Sequence, residues 1–126
     1  MELRSLESVD ISGKKVLVRA DFNVELNDVA EVQEHFRLDI VKKTVDHLCA
    51  SPGTKVALLT HFGRPNGKPD SLFSVARIRP ALERSLGRPV VFVSDCIGDT
   101  VEAGLRDLPA GAVLLLENVR FYPGEE

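Results

Sequence analysis

Four short apolar runs punctuate the chain: KKVLVRA (14–20), KVALLT (55–60), PVVFVSD (89–95) and AVLLLEN (112–118). Each is continuous rather than alternating, the pattern of strands buried on both faces of a parallel sheet. The stretches between them carry helical spacing instead. In FRLDIVKKTVDHLCA (36–50), Leu38, Val41, Val45, Leu48 and Cys49 fall on one face, and Ser51-Pro52-Gly53 stops the helix. FSVARIRPALERSLG (73–87) has Ser74 as its cap and ends at Gly87, with Pro80 predicting a kink or a late start. CIGDTVEAGLRDL (96–108) presents Val101 and Leu105, and Gly104 weakens it. The order βαβαβαβ predicts an α/β protein with a parallel sheet and right-handed crossovers.

Composition narrows the class. A chain of 126 residues suits one domain, and 44% hydrophobic residues supply a core. A net charge of -3 argues against a generally basic nucleic-acid binder without excluding a local basic pocket. No run of 18 apolar residues suggests a membrane helix, and MELRSLESVD has no apolar stretch of the kind that opens a signal peptide. Cys49 and Cys96, far apart and outside any CxxC motif, point to reduced thiols and a cytoplasmic location.

The polar residues just after the strands carry the chemistry. Asp21 and Asn23 follow the first run, His61 and Arg64 the second, Asn118 and Arg120 the fourth; Arg37 joins them if the first helix begins near the same rim. Ligands of parallel α/β sheets bind outside the carboxyl ends of the strands. Any one of these residues alone would read as a solvated loop position, but the same placement at three strand ends favours a site. Arginine forks match phosphate and carboxylate oxygens, and Asp21 and Asn23 suit a hydroxyl or amide partner. A small phosphorylated hydroxy acid would use all of these groups.

The segment HFGRPNGKP (61–69) invites comparison with nucleotide loops. A Walker A loop needs four residues between its glycines and a Ser or Thr after the lysine. Here three residues separate Gly63 from Gly67, and Pro69 follows Lys68. No GxGxxG follows any strand, which disfavours a generic nucleotide-binding domain.

VLVRADFNVEL, FRLDIVKKTVDHL, KVALLTHFGRPNGKPD, FSVARIRPALERSLGRPVVFVSDCIGD and GAVLLLENVRFYPGEE, in this order and spacing, resemble the amino-terminal domain of phosphoglycerate kinase. The resemblance runs from about residue 9 to the end. It implies a three-layer α/β/α, Rossmann-like fold, here truncated to about four strands, with residues 1–126 forming an incomplete substrate-binding domain and no nucleotide-binding domain. It implies transfer of a phosphoryl group from ATP to 3-phosphoglycerate, a step of glycolysis that gives ADP and 1,3-bisphosphoglycerate. Asp21 and Asn23 match residues holding the substrate's hydroxyl and carboxylate end. His61, Arg64 and Arg120 match substrate-binding positions, and Arg37 the catalytic arginine linked to phosphoryl transfer. The family's Mg-ATP or Mg-ADP would be held by the second domain, so no metal or cofactor is expected on this chain, nor any nucleic-acid or membrane partner.

Some positions depart from the family. Glu25 stands where proline is usual, Phe62 where leucine is, and Tyr122 where histidine is frequent; the loop from Asn23 to Arg37 is about one residue longer. None removes an expected contact. Two expectations follow: a 3-phosphoglycerate-binding half that does not turn over by itself, or a non-catalytic soluble α/β remnant without a competent site. Self-association is also expected, through a truncated sheet edge at KKVLVRA, a strand that the resemblance places inside a six-stranded sheet.

Overall fold

The computed structural model describes residues 8–21, 39–61 and 74–122. The described elements are β1 (Lys15–Arg19), α1 (Lys42–Cys49), β2 (Lys55–Leu59), a 3-10 turn (Val75–Ile78) running into α2 (Arg79–Leu86), β3 (Val90–Phe92), α3 (Asp99–Arg106), β4 (Val113–Leu115) and a final 3-10 turn (Val119–Phe121). All four apolar runs are strands of one parallel sheet in the order β1-β2-β4-β3.

The chain moves outward from β1 to β2 to β3, then steps back to insert β4. Under the right-handed crossover rule, that reversal sends its helix to the opposite face. The packing agrees. Val45 and Leu48 of α1 and Ile78, Leu82 and Leu86 of the second helical segment are buried against Val56, Leu58, Val113 and Leu115. Val101 and Leu105 of α3 pack on Ala57, Leu114 and Leu116 from the other side. Each fully buried leucine contributes about 1.5–3 kcal/mol relative to an exposed one.

The expectation of strands buried on both faces holds for the two inner strands and fails at the edges. Ala57 and Leu58 of β2 and all three residues of β4 are buried, whereas β1 alternates, with Leu17 60% exposed. The cause is position: among the described residues β1 has one sheet neighbour, and α3 does not reach over it. An apolar groove of about 390 Å³ remains on that face, lined by Leu17, Ala57, Leu59, Ile97, Val101 and Leu116 among others.

The helix ends follow their local chemistry. The Ser74 side chain accepts from the Ala76 N–H at 3.3 Å. The α-helix proper starts at Arg79, so Pro80 falls in its first turn, where its missing N–H costs no intrahelical bond. Gly87 closes it at φ 68°. Gly104, expected only to weaken α3, has a packing role: a Cβ there would lie 3.0 Å from Val93 Cγ1 and 3.1 Å from Leu114 Cδ1. Its lack of a side chain lets α3 sit close on the sheet.

Candidate functional site

The sheet order brings the candidate residues together in a way the sequence did not reveal. β1, β2 and β4, whose ends carry Asp21, His61 and Arg120, are consecutive neighbours in space. β3, the strand with no candidate at its end, is the far edge. Backbone bonds extend this alignment past the strands: Ala20 N–H donates to Leu59 O at 2.9 Å, and Val119 N–H donates to Thr60 O at 3.1 Å. The three arms are therefore laced side by side at one rim.

His61 and Asp21 meet there, with His61 Nε2 4.0 Å from Asp21 Oδ1. Asp21 is half-exposed and His61 mostly covered, so the pair lies at the boundary between sheet and solvent. Arg120 sits on the turn after β4, and its backbone N–H donates to Asn118 Oδ1 at 3.0 Å. Asn118 is fully buried and caps that turn. Its side chain shapes the backbone under Arg120. Asn23, Arg37 and Arg64 lie outside the described residues, as do the glycines of the 61–69 segment beyond His61.

Two features beneath the rim escaped the sequence reasoning. The first is Glu117, 7% exposed, whose carboxylate accepts from Val75 N–H (2.9 Å), Asn118 N–H (2.8 Å) and Ser74 Oγ (2.8 Å). The available signal was an acidic residue closing the apolar run AVLLLEN, since a carboxylate at that depth needs several donors. The second is a cluster joining the end of β3 to the tail of the last turn. The Tyr122 hydroxyl donates to Asp95 Oδ1, and the Cys96 N–H reaches both Asp95 Oδ1 (2.8 Å) and the Tyr122 oxygen (3.1 Å). The Tyr122 hydrogen bond, helped by the Cys96 N–H, holds the Asp95 carboxyl below the usual range. Tyr122 is pushed up to about 12, first by burial and then by its bond to Asp95. Burial, with the charges of Asp95 and Glu117, pushes the Cys96 thiol up to about 12; it donates to Glu117 O.

Chemically, the described rim offers a carboxylate, an imidazole and a guanidinium, suited to orienting an oxyanion and a hydroxyl. Among the described residues no three His, Cys, Asp or Glu side chains converge. No described helix is long and apolar enough to cross a membrane.

Fold and rim define a parallel α/β protein with Asp21, His61 and Arg120 at three adjacent strand ends. The sequence pattern of phosphoglycerate kinase matches residues 6–126. The phosphoglycerate kinase of Rhodospirillum centenum is 44% identical over the whole chain, and that of Bartonella tribocorum 47% identical; the chain spans 31% of each. The crystal structure of phosphoglycerate kinase from Pyrococcus horikoshii OT3 superposes with a TM-score of 0.80 at 28% identity, covering 94% of this chain and 28% of that one. A Coxiella burnetii phosphoglycerate kinase shares the fold at a TM-score of 0.75 and 24% identity, over 96% of this chain and 29% of that one. The chain belongs to the phosphoglycerate kinase family.

Proposed function

We propose that this chain is the acceptor-binding part of a phosphoglycerate kinase, which exchanges a phosphoryl group between ATP and the carboxylate of 3-phosphoglycerate. The observation that carries this is the placement of Asp21, His61 and Arg120 at the carboxyl ends of three adjacent strands. Asp21 and Asn23 hold the substrate's hydroxyl and carboxylate end, and His61, Arg64 and Arg120 hold its anionic oxygens. Arg37 neutralises charge on the moving phosphoryl group. An ionised carboxylate needs no strong base to attack, so positioning and charge neutralisation supply most of the catalysis. The Mg-nucleotide is bound outside these 126 residues, which span about a third of their relatives' length and lack a glycine-rich nucleotide loop. By itself the chain therefore binds acceptor without turning over, and it works in the cytoplasm. It also pairs with a second copy through the edge of β1.

Titration with 3-phosphoglycerate, followed by amide chemical shifts, tests the site. Each charge-assisted hydrogen bond contributes on the order of 1.5–3 kcal/mol, so Arg64→Ala or Arg120→Ala should weaken binding roughly tenfold or more. Added salt should lower the wild-type affinity. Unchanged binding in Arg64→Ala would refute the assignment. Calorimetry with Mg-ADP should give no saturable heat, and a coupled kinase assay should read background; turnover by rigorously purified chain would overturn the division of labour.

A further inference from the structure

The Glu117 carboxylate is buried, and its hydrogen bonds go to Ser74, Val75 and Asn118 rather than to Asp21, His61 or Arg120. They tie the start of the second helical segment to the turn that carries Arg120. Ser74 and Val75 begin the helical segment that follows residues 62–73, the stretch carrying Arg64. Asn118, held through its N–H, presents the side-chain oxygen that caps the Arg120 turn. The next residue, Val119, bonds the carbonyl of buried Thr60, directly before His61. One carboxylate thus underlies the Arg120 turn directly and, through the Val119–Thr60 bond, the strand end bearing His61.

We infer that Glu117 is a positioning residue for the anion site, setting the spacing of those cationic arms. The inference rests on the functional reading above for its ligand, but not for its geometry. Burying a carboxylate near an anion site opposes the ligand's charge, so its presence needs a structural return. That return is shape: Oε1 accepts from the backbone N–H groups of Val75 and Asn118, and Oε2 fixes Ser74, which itself caps the following turn. Glutamine preserves this geometry. Its oxygen accepts the same two N–H groups, and its amide donates to Ser74 Oγ once that hydroxyl rotates. Alanine preserves none of it and takes the Glu117 acceptor away from both N–H groups.

The test compares Glu117→Gln, Glu117→Ala and Ser74→Ala in the full chain, reading 3-phosphoglycerate affinity, backbone resonances and urea midpoint. Glu117→Gln should bind within about twofold of wild type with its rim resonances in place, because the hydrogen bonds survive. Glu117→Ala should weaken binding by at least about tenfold and shift the Thr60–His61 and Asn118–Arg120 amides together. Introduced beside Arg120→Ala, it should cost less than it does alone, since the two losses are coupled. If Glu117→Ala does not fold, Ser74→Ala, which deletes the Oε2 bond together with the Ser74 cap on the Ala76 N–H, should reproduce the rim shifts in weaker form. Shifts confined to residues 74–76, unchanged affinity in folded Glu117→Ala, or equal losses in the Gln and Ala variants would each overturn the inference. A wild-type chain that does not bind 3-phosphoglycerate would overturn the functional reading alone, leaving the rim resonances to decide the role of Glu117.

Discussion

The outer edge of β1 should drive association of two copies, and Leu17→Lys should abolish it. Lys14 O and Ala20 N–H bond to β2, so by the alternation of a parallel ladder the backbone groups of Lys15 and Leu17 point away from the sheet. Such an edge is a template for another strand. Leu17 is 60% exposed beside the apolar groove. Burying a whole leucine contributes about 1.5–3 kcal/mol, so covering this exposed portion contributes about 1–2 kcal/mol per copy and about 2–4 kcal/mol in a symmetric pair. Leu17→Lys forfeits that term and adds repulsion, weakening dimerisation roughly a hundredfold. In an antiparallel pair centred on Leu17, Lys15 faces Arg19 of the other copy. Like charges opposite one another oppose pairing and are screened by salt, so wild-type association should strengthen as ionic strength rises. Sedimentation velocity over a concentration series at two salt levels measures both effects. A wild-type monomer at all concentrations, with the Leu17 amide protected from exchange, would mean the edge is covered from within. Undiminished association of Leu17→Lys would assign the contact to another surface.

Three further outcomes concern the Tyr122 cluster and the two thiols. Asp95 has its carboxyl pKa lowered in the fold, so its contribution to stability is present above the unfolded carboxylate pKa and is lost as pH falls through the folded value. Tyr122→Phe should therefore raise the Asp95 carboxyl titration followed by carbon NMR and move acid unfolding to higher pH; an unmoved titration would rule out the hydroxyl as its main cause. The Tyr122 phenol, raised to about 12, favours the fold below its unfolded pKa of about 10 and loses that contribution as pH climbs through about 12. The Cys96 thiol, raised to about 12, and the Cys49 thiol, raised by burial, should resist iodoacetamide at neutral pH in the native protein and react in urea. Rapid native labelling of Cys96 would contradict its burial against Glu117.

The elements were largely legible because each apolar run and each helical face follows a period that sequence displays directly. Ser74, Pro80 and Gly87 marked their helix correctly, since caps and proline act locally. What stayed hidden was neighbourhood. Nothing local says that β4 inserts between β2 and β3, so the adjacency of the strands bearing Asp21, His61 and Arg120 was invisible. Asp21, His61 and Arg120 could be picked by their place after strands. Glu117 could not, because its partners Ser74 and Val75 lie more than forty positions away along the chain. Asn118 was grouped with the rim residues by position, but its side chain caps the Arg120 turn from a buried site.

Among the described residues the three arms of the rim are not anchored equally, because β1 pairs on one side while β2 and β4 each have two neighbours. Local opening follows the weakest cooperative unit. The ends of β2 and β4 can move only by breaching the core around Leu58, Leu114 and Leu115, so His61 and Arg120 are held almost as firmly as the whole fold. Asp21 is held only as firmly as one ladder between β1 and β2. A ligand bridging all three arms selects the docked state of β1, and its apparent affinity is diluted by the fraction of time that strand spends undocked. Occupancy of the rim would then be felt along the full length of β1, in slower breathing of residues that never touch the ligand.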